Sequence, residues 1–244
     1  MARDELAARD ELVARDELAG RQGVAALIAA AGLGERLGQG PKAFLDVGGR
    51  TLLAWVLDAL TPEVDEVLVG VPREHVERVR ELHPHARVIV GGVTRQATVA
   101  ALARATAQPV VLVHDAARPF LDAATVRACV ALAREHGAAS TVTRVADTLL
   151  DVDTGVPVDR ERLRAVQTPQ AFLRTWLLEA HETAEARGES ATDDAGLVRA
   201  LGRPVQLVLG GAHLFKVTTA TDLALARAYA AAIGGPPSVP AGAP

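Results

Sequence analysis

Lysine is the rarest cation in this chain, and its two occurrences are the first candidates for chemistry. Only Lys42 and Lys216 are lysines among the 26 basic residues, and every other one is arginine. Lysine offers a compact ammonium on a flexible stem, whereas arginine is a broad planar fork, so the two exceptions point to places where the fork does not fit. The alternative is that both are chance survivors of a bias towards arginine.

Lys42 ends a glycine-rich loop, AAAGLGERLGQGPK, that also contains Gly32, Gly34, Arg36 and Gly38. Glycines allow backbone amides to approach an anion closely, and a following helix amino terminus adds partial positive charge. The loop therefore indicates a phosphate cradle, with a plain tight turn as the alternative. Its spacing is neither that of the dinucleotide fingerprint nor that of a P-loop, because no Lys-Ser or Lys-Thr follows the last glycine.

Two further loops hold residues suited to nucleotide chemistry. In HDAARPF, Asp115 can hold Mg²⁺ through oxygen ligands and Arg118 can face a phosphate, although a local salt bridge between them that caps the next helix is the simpler interpretation. In GGVTRQAT, Gly91 and Gly92 precede the helix cap Thr94, and their main-chain groups could read a base edge.

Other chemistries find little support in the sequence. No Ser/His/Asp elbow is present, and Cys129 lies in an apolar helical pattern typical of a small buried residue. Six histidines show no metal-like grouping and are expected mostly at the surface: His75, His83, His85, His136, His181 and His213.

Charge and composition argue against some classes of binding partner. The net charge is −4 and aromatic residues make up 3%, which disfavours a nucleic-acid or membrane surface. No apolar run is long enough to span a bilayer, and no signal sequence is recognisable, so the expected compartment is the cytoplasm.

Apolar β-like runs alternate with amphipathic segments along most of the chain, which predicts a three-layered α/β fold with a mostly parallel sheet. The carboxyl ends of such strands form the ligand site, which is where the unusual residues occur. The predicted strands are GVAALIAA, EVLVGV, RVIVG, PVVLVHD and 204–209, with a β-like stretch around Lys216; the predicted helices are 51–60, 73–82, 94–105, 122–136, 170–186, 192–201 and 221–233.

Three segments depart from that alternation. Residues 143–165, which we call the arm, alternate apolar and polar residues around a D-T-G turn and predict a projecting β-hairpin. The arm has too little core of its own, so we expect it to pack against a second copy of the chain. The ARDEL repeats within 1–21 predict a weak helix or a disordered tail, and the Pro/Gly-rich residues 235–244 predict a disordered tail. The folded domain is expected at 22–234.

Taken in order, the motifs AAAGLGERL, PK, GGVTRQAT, HDAARP, ADT, VDR, TPQ, TDD and FKVTTATDLALA resemble those of the 2-C-methyl-D-erythritol 4-phosphate cytidylyltransferases. The resemblance implies a Rossmann-like nucleotidyltransferase domain, a homodimer joined through the arm, and transfer of CMP from CTP to a sugar-alcohol phosphate. It also implies dependence on Mg²⁺ or another divalent cation.

The resemblance assigns roles to residues of this chain. Arg36 and Lys42 match the pair that stabilises the transition state, and Asp115 matches the acid near the metal and substrate. The groups around the acceptor phosphate are matched by Arg118, Thr168 and Lys216. Thr148 and Arg160 match arm residues that reach the partner subunit's site. Arg160 and Lys216 are therefore also catalytic candidates. The nucleotide-binding backbone and the cytosine reader correspond to Ala30, Ala31, Gly32, Gly34, Gly91, Gly92 and Thr98.

Departures and rival functions remain open at this point. Val93 and Thr98 replace a frequent acidic residue and a frequent serine of the family. The acceptor could instead be ribitol 5-phosphate, the substrate of a sister family, and a non-catalytic CTP-binding regulatory or scaffold subunit is a rival from another class. A NAD-type oxidoreductase is more distant, because the fingerprint spacing is wrong.

Overall fold

The computed structural model describes residues 23–32 and 40–234. The ARDEL-repeat segment, Gly34 and Arg36 of the glycine-rich loop, and the tail 235–244 lie outside the described residues. Predictions about those positions stay predictions.

A seven-stranded sheet forms the centre of the fold, in the order β11-β7-β10-β6-β1-β4-β5. Every neighbouring pair is parallel except the two that involve β10, so the predicted mostly parallel sheet is confirmed. Two small antiparallel pairs, β2 with β3 and β8 with β9, lie apart from it. The strands of the described residues are β1 Val24–Ala29, β2 Asp46–Val47, β3 Arg50–Thr51, β4 Glu66–Val71, β5 Arg87–Val90, β6 Val110–Asp115, β7 Ala138–Arg144, β8 Leu149–Leu150, β9 Pro157–Val158, β10 Arg164–Leu173 and β11 Gln206–Leu209.

Helices cover both faces of this sheet and give the three layers that the sequence predicts. Alternate residues of β1 enter different cores: Val24 and Ile28 pack with α1, α2 and α4, whereas Ala25 and Leu27 pack with α3, α5 and α6. The helices are α1 Leu52–Leu60, α2 Val76–Leu82, α3 Arg95–Ala105, α4 Ala123–His136, α5 Arg174–Arg187, α6 Asp194–Ala200 and α7 Ala220–Ala232.

Helix starts follow the capping residues of the sequence. The Thr94 hydroxyl accepts from the Ala97 backbone N–H at 3.0 Å, and the Asp122 carboxylate accepts from the Thr125 N–H at 2.8 Å. Each bond satisfies one of the otherwise unpaired N–H groups of a first helical turn. Pro72 instead precedes a short 3-10 helix, Arg73–His75, before α2.

Two predictions about local structure are wrong, and one histidine is an exception to a general expectation. The helix expected to begin at residue 170 begins at Arg174, because Gln170 is part of β10 and pairs with Val113 and Ser140 on neighbouring strands. The β-like stretch around Lys216 forms no strand and is an extended connection. His181 lies in the interior with a side chain only 2% exposed, whereas the other five histidines named above are partly or fully exposed, as expected for most of them.

The arm is a β-hairpin, as the alternation predicts. Leu149 pairs with Val158 and Leu150 with Pro157, while the Asp151 carboxylate accepts from the backbone N–H groups of Asp153 and Thr154 in the turn. Several of its apolar side chains face solvent, including Leu150, Val152 and Val156. The hairpin therefore presents apolar surface for which its own chain provides no cover among the described residues.

Two findings bear on the classes of function considered above. No helix in the described part of the chain is long and apolar enough to cross a membrane. Cys129 is fully buried, and burial raises the pKa of its thiol to about 11. A thiol of this kind is protonated at neutral pH and does not serve as a nucleophile.

Candidate active site

A cavity of about 530 Å³ opens at the carboxyl ends of β1, β5 and β6. We call it the cleft. Its volume is in the range of small-molecule sites, and it occupies the edge where open α/β sheets bind ligands. The residues that line it are Ala29, Ala30, Ala31, Gly32, Lys42, Ala43, Gly92, Val93, Thr94, Arg95, Thr98, Asp115, Ala116, Ala117, Lys216 and Thr218.

The loop after β5 forms one wall of the cleft through its backbone. A Cβ at Gly91 would lie 2.5 Å from the Ala31 Cβ, so a side chain there would push the two cleft loops apart. The Thr98 hydroxyl accepts from the Gly92 N–H at 3.0 Å and donates to the Thr94 carbonyl at 2.9 Å. Thr98 therefore holds this loop in shape, in addition to bordering the cleft.

Asp115 ends β6 and is the centre of the cleft's charge. Its Oδ1 lies 2.7 Å from Nε of Arg95 and its Oδ2 lies 2.7 Å from Nζ of Lys216. Burial by itself would raise the pKa of Asp115, but the charges of Arg95 and Lys216 outweigh it and hold that pKa well below its ordinary value. Asp115 is therefore a carboxylate at neutral pH.

The two lysines of the chain meet in this cleft. Lys42 begins the short 3-10 helix Lys42–Phe44 and donates through Nζ to the Val217 carbonyl at 3.5 Å. Val217 is fully buried in a small core that also contains Phe120 and Leu223, and it fixes the neighbouring Lys216. The hydrogen bond between Lys42 and Val217 joins residues that are 175 positions apart in sequence.

Arg118 and Thr168 support the cleft from behind and do not line it. The Arg118 guanidinium donates to the Leu214 carbonyl at 2.6 Å and to that of Val166 at 3.5 Å, and Thr168 accepts from the Asp115 N–H at 3.2 Å. The simpler interpretation from sequence, an Asp115–Arg118 salt bridge, is wrong, because Asp115 pairs with other cations. Its helix-capping part is also wrong, since Asp122 caps α4.

The predicted arm residues lie away from the cleft of their own chain. Thr148 and Arg160 are both exposed and neither lines the cavity. Arg160 donates to the Ala146 carbonyl within the arm. Gly91 lies at the cleft wall without lining the cavity, and Gly34 and Arg36 are outside the described residues.

The sequence reasoning missed Arg95, although it stands in the GGVTRQAT motif. Its guanidinium contacts both Asp115 and Asp194, which are 20 and 99 residues away along the chain. Asp194 belongs to the TDD motif and Gln170 to the TPQ motif, and the sequence alone assigns neither residue a role. Only the fold shows that these motifs lie together. In the sequence, the one indication of a role was that both motifs belong to the series of motifs that resembles the cytidylyltransferases.

The described residues by themselves do not form a complete metal site. The described residues contain no group of three or more His, Cys, Asp or Glu side chains that could hold an ion. Among the described residues that line the cleft, Asp115 alone offers carboxylate oxygens, and each oxygen keeps a second lone pair beyond its ion pair. Mg²⁺ commonly takes one or two carboxylates and fills its remaining positions with substrate phosphates and water, so Asp115 fits an ion that arrives with a triphosphate.

The fold and cleft together define an α/β protein of the nucleotidyltransferase type, with a cationic ligand site at the edge of a mostly parallel sheet. The profile of one such family matches residues 24–232. The chain belongs to the family of 2-C-methyl-D-erythritol 4-phosphate cytidylyltransferases.

Individual relatives agree with this assignment. The chain is 51% identical to the 2-C-methyl-D-erythritol 4-phosphate cytidylyltransferase of Deinococcus radiodurans over 213 residues, which cover 86% of this chain and 90% of that protein. The crystal structure of the Thermus thermophilus enzyme aligns with a TM-score of 0.74 at 46% identity, over 85% of this chain and 98% of that one. The 4-diphosphocytidyl-2C-methyl-D-erythritol synthase structure from Anaerococcus prevotii gives a TM-score of 0.76 at 28% identity, over 86% and 98%.

Proposed function

We propose that this protein transfers CMP from CTP to 2-C-methyl-D-erythritol 4-phosphate, giving 4-diphosphocytidyl-2-C-methyl-D-erythritol and pyrophosphate in the non-mevalonate isoprenoid pathway. Family membership supports the reaction. The observation that argues for catalysis over mere binding is the convergence of Lys42, Lys216 and Asp115 on one cleft bordered by glycine backbone. A scaffold subunit that only held CTP would not need this set of opposed charges.

The reaction needs positioning and charge neutralisation more than a protein nucleophile. A phosphate oxygen of the acceptor attacks the α-phosphorus of CTP, forming one P–O bond as the bond to pyrophosphate breaks. Lys42 faces the negative charge that develops on the oxygens at that phosphorus, and Lys216 holds the acceptor phosphate. Arg36, matched by the resemblance, is proposed to assist Lys42.

Nucleotide selection is proposed to lie at the loop after β5. The Ala30 and Gly92 N–H groups already donate to the Gly70 carbonyl and the Thr98 hydroxyl, which keeps both segments in place. The remaining backbone groups of Ala30, Ala31 and Gly92 border the cleft and could bond a base there. Backbone donors and acceptors in a fixed loop can distinguish cytosine from the other bases by the edge each base presents. Val93, which is fully exposed, supplies no polar contact there.

Mg²⁺ is proposed to enter with CTP, with Asp115 as its protein ligand. When bound, it would neutralise part of the triphosphate charge and make pyrophosphate a better leaving group. Asp115 is suited to this role because it stays ionised. We also propose that the reaction takes place in the cytoplasm, where CTP is available.

The arm is proposed to join two copies of the chain and to complete each cleft with Thr148 and Arg160 of the partner subunit. Support comes from the exposed apolar residues Leu150 and Val156 and from the absence of Thr148 and Arg160 from the cleft of their own chain. Light scattering should give twice the chain mass for the wild type, and Leu150→Glu with Val156→Glu should shift it towards the monomer. A monomeric wild type at micromolar concentration would contradict the shared cleft.

The reaction itself is tested by pyrophosphate release from CTP and Mg²⁺ with methylerythritol 4-phosphate and ribitol 5-phosphate offered separately. ATP, GTP and UTP serve as nucleotide controls. Release with CTP and the first acceptor alone is the expected result. Pyrophosphate release with ribitol 5-phosphate would instead indicate the activity of the sister family. No release with either acceptor, while CTP still binds, would favour the scaffold function.

A further inference from the structure

Gln170 of the TPQ motif and the two aspartates of the TDD motif have no role in the reaction just described, yet they meet behind the cleft. Gln170 of the first motif donates through Nε2 to Asp193 of the second at 2.8 Å, and its Oε1 accepts from the Ala195 N–H at 3.0 Å. These bonds fix the start of α6 against β10. The first residue of α6 is Asp194, which points its carboxylate towards Arg95.

Arg95 bridges this buried layer to the cleft. Its Nε donates to Oδ1 of Asp115 and its Nη1 donates to Oδ2 of Asp194, both at 2.7 Å. A planar guanidinium has donors in a fixed geometry, so binding two carboxylates through different nitrogens fixes the plane and position of the group. A single ammonium could not reproduce both bonds at the same time with the same geometry.

Asp194 is itself held from the interior side. Its side chain is only 1% exposed, and its Oδ1 accepts from Nε2 of His181 on α5 at 3.0 Å. The Nδ1 of His181 is buried without a hydrogen-bond partner among the described residues, so the contact with Asp194 is the one polar bond that orients this ring there. Asp194 does not line the cleft and is therefore out of reach of a ligand in it.

We propose that Arg95 is a positioning residue, tethered by Asp194 and His181, that holds Oδ1 of Asp115 so that Oδ2 and Lys216 face the bound substrates in one orientation. Without the tether, Arg95 could swing towards an incoming triphosphate, and the Asp115 carboxylate could rotate away from Lys216. The buried pair Asp194 and His181 thus restricts the position of Arg95, and Arg95 in turn restricts the orientation of Asp115 in the cleft. This inference rests on the proposed function.

The decisive variant is Asp194→Asn, which removes the charge behind Arg95 without changing the shape of the side chain. We expect kcat to fall by about 10- to 100-fold, as for other residues that orient catalytic groups. The KM for CTP should stay within about twofold, because Asp194 touches no ligand. Asp193→Asn is the matched control: it makes the same charge change one residue earlier, asparagine also caps helices well, and Asp193 has no bond to Arg95.

Calorimetric titration with CTP gives the number of competent sites, to which kcat is normalised. If Asp194 only stabilised the fold, its variant would lose binding sites or melting temperature, but each remaining site would turn over at the wild-type rate, and the proposal would fail. Equal losses in Asp194→Asn and Asp193→Asn would also overturn it.

Arg95→Lys provides a second test that does not depend on a buried substitution. The lysine keeps the charge but cannot bridge both carboxylates through two nitrogens, so we expect a loss of kcat comparable to that of Asp194→Asn. The double variant should lose little more kcat than either single variant, because both changes break the same bridge. Near-normal turnover of Arg95→Lys would show that charge alone suffices. The proposed function fails separately, when the wild type itself releases no pyrophosphate.

Discussion

The cleft and the arm differ in how their residues are brought together and in how far they are buried. The cleft draws residues from distant parts of the sequence into a largely buried, ion-paired centre, where Asp115 contacts Arg95 and Lys216. The arm is a local hairpin whose polar residues Thr148 and Arg160 and whose apolar side chains are exposed. The difference teaches that the charged centre of the cleft is formed within one chain, whereas the arm leaves apolar side chains that no described residue of its own chain covers.

The largest difference between the two regions should appear in stability. Phe172 is fully buried in β10, within the core under the sheet, and Phe172→Ala should lower the free energy of unfolding by about 3–5 kcal/mol. Val152→Ala on the arm should cost less than about 0.5 kcal/mol in dilute protein, because that side chain is almost fully exposed. Urea denaturation measures both, and equal losses would contradict the contrast in burial.

Removal of one cation should separate catalysis from folding. Lys42→Ala should reduce turnover by about 10²-fold or more, the range for loss of a preorganised charge donor, while the melting temperature changes little. Lys42→Arg is the matched variant, because it keeps the charge and tests whether the cleft requires a compact ammonium. Near-normal turnover of a folded Lys42→Ala protein would remove this residue from the mechanism.

The arm is tested by subunit exchange. Arg160→Ala should raise the KM for the acceptor by about tenfold and leave CTP binding almost unchanged, since Arg160 does not line the cleft of its own chain. At an acceptor concentration well below the wild-type KM, where Arg160→Ala alone is about tenfold less active, equal mixing with Lys42→Ala should restore about a quarter of wild-type activity, because half of the dimers are mixed and each has one intact site. Failure to restore activity after confirmed exchange would contradict a shared site.

The smallest predicted effect concerns pH and the buried histidine that precedes Asp115. Full burial lowers the pKa of His114 to about 4, so the native state resists a proton that the unfolded chain accepts below about pH 6.5. His114 therefore contributes stability that is present above pH 6.5 and is lost as the pH falls towards 4. Between pH 7 and pH 5.5 the loss should be about 1 kcal/mol.

Denaturation of His114→Gln at those two pH values should show a correspondingly weaker pH dependence. His136→Gln, at a half-exposed position outside the cleft, should keep the wild-type dependence. The same pH dependence in all three proteins would assign the effect to other groups.

Strands with strong apolar runs and helices with clear caps could be predicted from sequence because their signals are local. β4 Glu66–Val71 and the caps Thr94 and Asp122 are examples, as is the arm with its D-T-G turn. Gln170 shows the limit: its segment reads as helical, but neighbours on both sides, Val113 and Ser140, pair with it as a strand. Tertiary pairing overrode the local preference.

The sequence by itself determined which residue types were available and in what order: two lysines, a glycine-rich loop, an aspartate at a strand end and an alternating arm. Only the tertiary structure decided their partners. Asp115 could have paired with nearby Arg118, but it binds Arg95 and Lys216, because parallel strands bring their carboxyl ends and following loops to one edge whatever their separation along the chain. Burial then strengthens those ion pairs, because a charge removed from water is costly unless an opposite charge compensates it, and the attraction is larger at low dielectric constant.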